Sequence, residues 1–416
     1  MRANAHRTLF SSGDHETYLR GLTVDLKEKE ALQAAREEIR DQIRLGLRDW
    51  SDHVDRGQLF EARALASAYL TDSDFALRPK FRMQGSWSYH TLNRATHSPP
   101  QEIDLDDGVF LPVSFLSQNG GAHPIVASAG YFTAIERILA PLCDRNGWTL
   151  IADKPSCVRV EIKDDAHVDI ALYAIPDEEF EVLLEKAEAS MQFDTRMRDE
   201  NISFAEEIYP RLPSDQIMLA HRREGWKPSD PRKLEDWFRE AIDAHGQQLR
   251  RVCRYLKGWR DHNWTACRLS SIALMACVVG AYDDATAAIP ENRDDLALQM
   301  VAKRLPELLE HRILNPVVYG QFLDEGWTSE CRADFIAKAH ALATRIDAAL
   351  AANQSSTVIE HLRAVLGDYL PDDGDLVVME APIGAPAILQ SGILKDFADE
   401  PGVREAVQKG GDGRYG

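Results

Sequence analysis

Apolar and polar positions alternate along this chain in two different rhythms. From Leu26 to Val54 the apolar residues Leu32, Ile39, Ile43, Leu47 and Trp50 recur mostly every three or four positions, with charge between them. That spacing predicts one long amphipathic helix, which at ~1.5 Å per residue runs the length of a domain as a spine. Gly57 breaks the pattern, and Leu59 to Leu70 predicts a second, shorter helix. The period then falls to two. Phe81-Arg82-Met83-Gln84 alternates up to Gly85, and helix-compatible residues follow to Leu92, which predicts a strand, a tight Gly85-Ser86 turn and a helix. A polar loop with two prolines leads into Gln101 to Gly108, where Ile103, Leu105 and Val109 alternate with acids. On such a strand Asp104 and Asp106 share one face, with Glu102 in their row.

Gly130 to Asn146 predicts a helix kinked or interrupted at Pro141, and Trp148 to Ile151 a strand. Val158 to Ile162 and His167 to Tyr173 read as a hairpin turning at Lys163-Asp164-Asp165. This hairpin can bring Asp169 beside Asp104 and Asp106, with His167 on the same face as Asp169. Glu178 to Glu200 reads as a charged helix and Arg211 to Pro231 as irregular. The remainder is almost wholly helical: Leu234 to Trp264, Ser270 to Asp284, Arg293 to Glu310, and Thr328 to Leu366 with a break near Asn353. The shift in composition near Ser229 sets a boundary. The expected organisation is a lead-in (1–25), a core with its spine helix (26–228), a helical lobe (229–375) and an extension with a Gly-rich, polar tail (376–416). The fold class is α+β, a mixed sheet with a long N-terminal helix plus an α-helical second lobe.

Paired carboxylates on a rigid strand repel each other. They are tolerated where the strand edge is solvated or where a cation sits between them. The Gly85-Ser86 turn offers backbone N–H groups and a hydroxyl at a helix start, which suits a phosphate, although Ser is also an ordinary N-cap. His167 reads as a packing or hydrogen-bonding histidine ahead of a metal ligand. From Gln247 to Arg260 the chain carries Arg250, Arg251, Arg254, Lys257 and Arg260 with no acid among them, a basic helix stripe fit for phosphates or a solvated face.

Composition narrows the field. A formal charge of −19 argues against coating long nucleic acid but not against a small nucleotide met by a local basic cluster. No apolar run approaches the ~20 residues of a membrane helix, and Met1 to Asp14 lacks the apolar core of a secretory signal. Six scattered cysteines without a C-x-x-C pair fit reduced thiols and a cytoplasmic location.

Three converging aspartates after a Gly-Ser turn have a specific use: they hold two Mg²⁺ ions (Mn²⁺ as an alternative) that bridge the phosphates of a nucleoside triphosphate. The order Gly85-Ser86, then Asp104-Leu105-Asp106, then a distant Asp169 resembles the polymerase-β-like nucleotidyltransferases. The resemblance becomes narrower in several segments: Gln84 to Arg94, Glu102 to Gly108, His167 to Pro176, Ser229-Asp230-Pro231 with Glu235-Asp236-Trp237-Phe238, Val252 to Asp261, and Ser270-Ser271-Ile272. In this order, from about residue 25 to 285, they are similar to the CD-NTase family, the cGAS/DncV-like bacterial cyclic-dinucleotide synthases. The resemblance implies a polymerase-β-like nucleotidyltransferase core, with Asp104, Asp106 and Asp169 as catalytic metal ligands. It implies that Gln84, Gly85, Ser86 and Tyr89 hold a nucleotide, and that Lys257 and Ser271 complete the phosphate grip. Arg159 would reach a phosphate or base, and Ser229 and Asp230 would read a base edge, although Ser-Asp-Pro is also an ordinary helix N-cap with Pro at N1. The implied activity joins two nucleotides, ATP and GTP, by two transfers into a cyclic GMP–AMP in bacterial antiphage signalling. A synthase of linear oligoadenylate or an AMP transferase would use the same aspartates. A catalytically silent nucleotide-binding protein is argued against by all three being intact.

Relatives of this kind can also carry a folate-like regulator among basic residues of the spine helix. Here Arg36, Arg40, Arg44 and Arg48 interleave with Glu37, Glu38 and Asp41 and read first as helix salt bridges. Some relatives are conjugated through a C-terminal Gly by a ubiquitin-like transfer enzyme, and Gly416 ends this chain; an unstructured tail without a role is the other reading.

Overall fold

The computed structural model describes residues 2–59, 77–97, 100–113, 115–118, 121–124, 126–176 and 217–380. The helix expected from Leu59 to Leu70, beyond Leu59 itself, the helix expected over 178–200 and the tail with Gly416 lie outside the described residues. The strands are β1 (Arg2–Asn4), β2 (Lys80–Met83), β3 (Ile103–Val113), β4 (Phe115–Gln118), β5 (Gly121–Pro124), β6 (Thr149–Ile151), β7 (Cys157–Lys163), β8 (Ala166–Pro176), β9 (Met218–His221), β10 (Gly225–Pro228) and β11 (Val378–Glu380).

Seven of these strands form one mixed sheet in the order β10-β9-β8-β3-β2, with β7 on the first half of β8 and β6 beyond it. Its centre is the parallel pair β3 and β8, in register from Ile103 opposite Ala166 to Val113 opposite Pro176. Asp104 therefore faces His167 across the pair, and Asp106 faces Asp169. The spine helix Leu26–Arg48 and the helix Ser128–Asn146 pack against each other and share the core that backs this sheet. Gly46 lets them approach closely, since a Cβ there would meet Ile138 Cγ1 at 2.5 Å. Pro141 does not interrupt the second helix.

Several expectations are corrected. The spine ends at Arg48, and Trp50–Asp52 is a separate turn of 3-10 helix. The helix after Gly85 spans only Gly85–Ser88, and His90 with φ 56° ends it. The stretch expected to be irregular contains the antiparallel pair β9 and β10. The expected helix from Leu234 to Trp264 is two, Pro231–His245 and Gln247–Asn263, parted at Gly246, whose φ of 85° favours glycine.

The helical lobe continues with Ser271–Asp283, Asp294–Glu310, Ser329–Ala351 and Ser355–Leu366. It has its own core, and the lead-in contributes to it: Ala3, Ala5, Leu9, Tyr18 and Leu22 are buried there, and β1 pairs with β11. The chain passes from one core to the other between Leu22 and Val24. Residues 91–97 with Gln101 strap the two cores together. Asn93 Nδ2 donates to the Arg254 carbonyl, and the Gln101 amide donates to the carbonyls of Asp261 and Trp264. No helix among the described residues is long and apolar enough to cross a membrane.

Candidate active site

The β3–β8 register places a row of acids at the floor of a cavity of about 580 Å³ between the sheet and the helical lobe. Asp104, Asp106 and His167 line it from the strands, Glu102 from just before β3, Gly85, Ser86 and Tyr89 from the turn after β2, and Lys257, Arg260 and Ser271 from the helices. Asp106 leans directly onto the turn. A Cβ on Gly85 would meet Asp106 Oδ2 at 1.8 Å, and Gly85 has a φ of 65°, so this position requires glycine on two counts.

Asp106 is the most perturbed acid of the row. Burial first, and then the charges of Asp104 and Asp169, push its carboxyl up to about 8, against the opposing pull of His167 and Lys257. Asp169 is held by Arg159, which donates from Nε to Oδ1 and from Nη2 to Oδ2 at 2.7 Å each. His167 Nδ1 lies 2.5 Å from Glu102 Oε2, and its Nε2 lies 3.0 Å from Asp104 Oδ1. Burial pulls its pKa down, but Asp104 and Asp169 outweigh that and leave it raised.

These residues fit a cation. Ligand atoms of Asp104, His167 and Asp169 lie within 4.8 Å of one another. Asp104 Oδ1 and His167 Nε2 are both buried with no hydrogen-bond partner of acceptable geometry. A buried Asp106 whose carboxyl is raised by two neighbouring carboxylates is the electrostatic complement of a divalent ion.

The other expected residues divide. Gly85, Ser86, Tyr89, Arg159, Lys257 and Ser271 line the cavity; Gln84, Ser229 and Asp230 are not among its lining residues. Gln84 lies beside Gly108 and accepts from Tyr173 Oη at 3.2 Å. Asp230 caps the helix Pro231–His245 through the Arg232 amide and pairs with the Arg232 guanidinium, which is the ordinary capping role. Lys257 Nζ donates to the Thr91 carbonyl at 2.7 Å, and burial with Arg260 and Arg254 nearby brings its amine down to about 8. Ser271 accepts from Arg260 Nη1.

The basic stripe is not free of acids in space. Arg251 pairs with Asp294 and Arg260 with Asp261, while Arg254 is spent on Asn93 and Thr23. On the spine, Arg36 pairs with Glu37 and Arg44 with Asp41, as the spacing suggests. Arg40 also meets Glu37, at 3.4 Å, and in addition makes a buried, two-pronged pair with Asp107, a partner 67 residues away that no local pattern reveals.

Comparison with known proteins agrees with this architecture. Residues 79–173 match the family model "Cyclic GMP-AMP synthase DncV-like, nucleotidyltransferase domain", and residues 246–379 match "Cyclic GMP-AMP synthase, C-terminal domain". The chain belongs to the DncV-like nucleotidyltransferase family. A cyclic GMP-AMP synthase of Escherichia coli is 33% identical over 255 residues, covering 59% of this chain and 56% of that protein. One of Vibrio cholerae is 29% identical over 354 residues, covering 81% and 76%. The solved structure of the Vibrio cholerae di-nucleotide cyclase DncV in complex with GTP and 5MTHFGLU2 superposes with a TM-score of 0.74 at 25% identity, over 92% of this chain and all of that one. The polymerase-β-like core and the appended helical lobe are thus those of a DncV-like protein. The strand carrying Asp104, Asp106 and Asp169's partner register falls within the first matched region.

Proposed function

We propose that this protein is a metal-dependent nucleotidyltransferase that joins ATP and GTP into a cyclic GMP–AMP. The observation that carries the reading is the apposition of Asp106 and Asp169 on adjacent parallel strands, with Asp104 beside them and the Gly85 turn against Asp106. Relatives named cyclic GMP-AMP synthases, and a DncV structure with ATP and GTP, support the choice of substrates.

Asp104, Asp106 and Asp169 would hold two Mg²⁺ ions. Bound there, the ions neutralise the triphosphate and lower the pKa of the attacking hydroxyl. The Gly85-Ser86 turn takes the β and γ phosphates of the donor, with the Ser86 hydroxyl donating. Lys257 and Ser271 close the phosphate site from the helical wall. Asp169 accepts the proton of the acceptor's ribose hydroxyl, whose oxygen bonds to the donor α-phosphorus as pyrophosphate leaves. The linear product then reverses in the cavity, and a second attack with loss of a second pyrophosphate closes the ring. Tyr89, packed edge-on to Phe238 with centroids 6.1 Å apart, borders the space for the stacked bases.

A role in antiphage signalling and a cytoplasmic location belong to the same proposal. So does conjugation at Gly416 by a ubiquitin-like transfer enzyme, tested by Gly416→Ala in the native operon. A folate-like regulator, as 5MTHFGLU2 in the DncV complex suggests, would have to meet spine arginines already engaged with Glu37, Asp41 and Asp107.

Incubating the protein with ATP, GTP, CTP and UTP plus Mg²⁺, followed by phosphatase and mass spectrometry, tests the reading. A phosphatase-resistant product at the mass of cyclic GMP–AMP is expected. Linear, phosphatase-sensitive oligomers would replace it with an oligoadenylate-type synthase, and no pyrophosphate release would favour a silent nucleotide-binding protein.

A further inference from the structure

We propose that His167 is itself a ligand of the bound cation, through Nε2 and alongside Asp104 and Asp169, so that this site takes a first-row transition ion such as Mn²⁺, which accepts imidazole nitrogen more readily, ahead of Mg²⁺. The inference rests on the metal-dependent reading above and adds a nitrogen donor to it.

Three observations carry it. His167 is only 4% exposed, and Nδ1 is committed to Glu102 Oε2 at 2.5 Å. An ionised carboxylate only accepts, so the bonding proton is on Nδ1. A cation that takes the place of the Nε2 proton meets the lone pair there, while Nδ1 keeps its proton for Glu102. Nε2 points into the cluster, 3.0 Å from Asp104 Oδ1 and 3.9 Å from Asp169 Oδ2. Neither it nor Asp104 Oδ1 has a hydrogen-bond partner of acceptable geometry. Two carboxylate oxygens this close to Nε2 require positive charge between them, which a ring proton supplies without metal and a cation supplies in the loaded site. Glu102 behind the ring completes a carboxylate–histidine–metal arrangement, in which the outer carboxylate fixes the tautomer and raises the basicity of the ligating nitrogen. Imidazole suits transition ions, whereas Mg²⁺ prefers oxygen and keeps its waters.

The parallel register makes the arrangement specific. Asp104 and His167 are directly opposed across β3 and β8, so the donors come from two rigid strands rather than from a loop. Asp106 lies one step along the same face, against Gly85, and remains available to a second ion.

The test is pulsed electron paramagnetic resonance on the full-length protein loaded with less than one equivalent of Mn²⁺. A nitrogen modulation from directly bound imidazole is expected, changing when the protein carries ¹⁵N-labelled histidine. It should vanish in His167→Gln, with Mn²⁺ affinity falling more than Mg²⁺ affinity. Glu102→Gln should keep the modulation but weaken Mn²⁺ binding by ~10-fold or more. Bound Mn²⁺ and turnover without any nitrogen modulation would overturn the His167 assignment and leave nucleotidyl transfer standing. Failure of the wild-type chain to bind either ion would overturn both. Should His167→Gln not fold, the isotope-labelled wild-type spectrum decides alone.

Discussion

Arg159 clamps Asp169 with two parallel hydrogen bonds of 2.7 Å, so the third carboxylate of the site already has a counter-ion before any metal arrives. The guanidinium, 18% exposed, also stands 3.7 Å from Glu102. A divalent cation at Asp169 must displace this clamp or bind beside a like charge, which costs affinity. Arg159→Met should therefore lower the melting temperature in EDTA, bind Mg²⁺ roughly tenfold more tightly, and show a larger Mg²⁺-induced rise in melting temperature than the wild type. Calorimetric titration with thermal melts checks it. Weaker Mg²⁺ binding in the variant would mean that Arg159 helps to hold the ion.

Asp106 gives the metal-free protein a falling stability with pH. An unfolded aspartate loses its proton near 3.8, whereas the folded one, buried beside Asp104 and Asp169, keeps it up to about 8. Between those values the native state binds more protons than the unfolded state, so stability decreases as pH rises. Denaturant melts in EDTA at pH 6 and pH 8.5 should show the lower midpoint at pH 8.5. Saturating Mg²⁺, which takes the place of that proton, should flatten the difference.

Removing charge at nearly constant volume separates chemistry from folding. Asp104→Asn with Asp106→Asn should reduce turnover by on the order of a thousandfold or more, since it removes transition-state charge stabilisation of several kcal/mol. The same change relieves repulsion in the row, so the metal-free double variant should melt no lower than the wild type. Wild-type-like product formation would remove these two residues from the site.

Gly85 can be tested by a single methyl group. A Cβ at this position would lie 1.8 Å from Asp106 Oδ2, and the φ of 65° is strained for alanine. Gly85→Ala should displace the Asp106 carboxylate by about an ångström and reduce kcat by ~100-fold. Backbone strain should cost ~1–2 kcal/mol of stability. Near-normal kcat with lowered stability would separate the turn from the chemistry.

What the sequence made legible follows the range over which each pattern acts. Period-two alternation located Asp104 and Asp106 on one face, and the Lys163-Asp164-Asp165 turn located the hairpin that carries Asp169, because both are local. The parallel register that sets Asp106 against Asp169 is not local, and nothing in the spacing reveals it. The basic stripe looked uncompensated because Asp294, the partner of Arg251, comes 43 residues later. Asp230 capped a helix, as its neighbour Pro231 allowed. The lead-in had too few periodic positions to show that Tyr18 and Leu22 belong to the helical core. His167 makes the hydrogen bond to Glu102 that a packing or hydrogen-bonding histidine implies, but the direction of Nε2 is a matter of side-chain geometry alone.

The pair Arg40–Asp107 joins the spine helix to the strand that carries the acidic row. Nε meets Oδ2 at 2.7 Å and Nη2 meets Oδ1 at 2.6 Å, and the Asp107 side chain is 2% exposed. Asp107 follows Asp106 on β3 but points to the opposite face, so this pair anchors the strand from behind while Asp106 faces the cavity. Arg40→Met leaves a buried carboxylate without its partner, which should cost ~3–5 kcal/mol. Arg40→Met with Asp107→Leu removes both charges, and much of that loss should return, because two apolar groups of similar volume need no pairing. A double-mutant cycle of denaturant melts measures the coupling. If the pair also positions the acidic row, the restored double variant should keep normal KM for ATP and GTP yet show a lower kcat than the wild type. A fully restored kcat would confine Arg40 and Asp107 to stability.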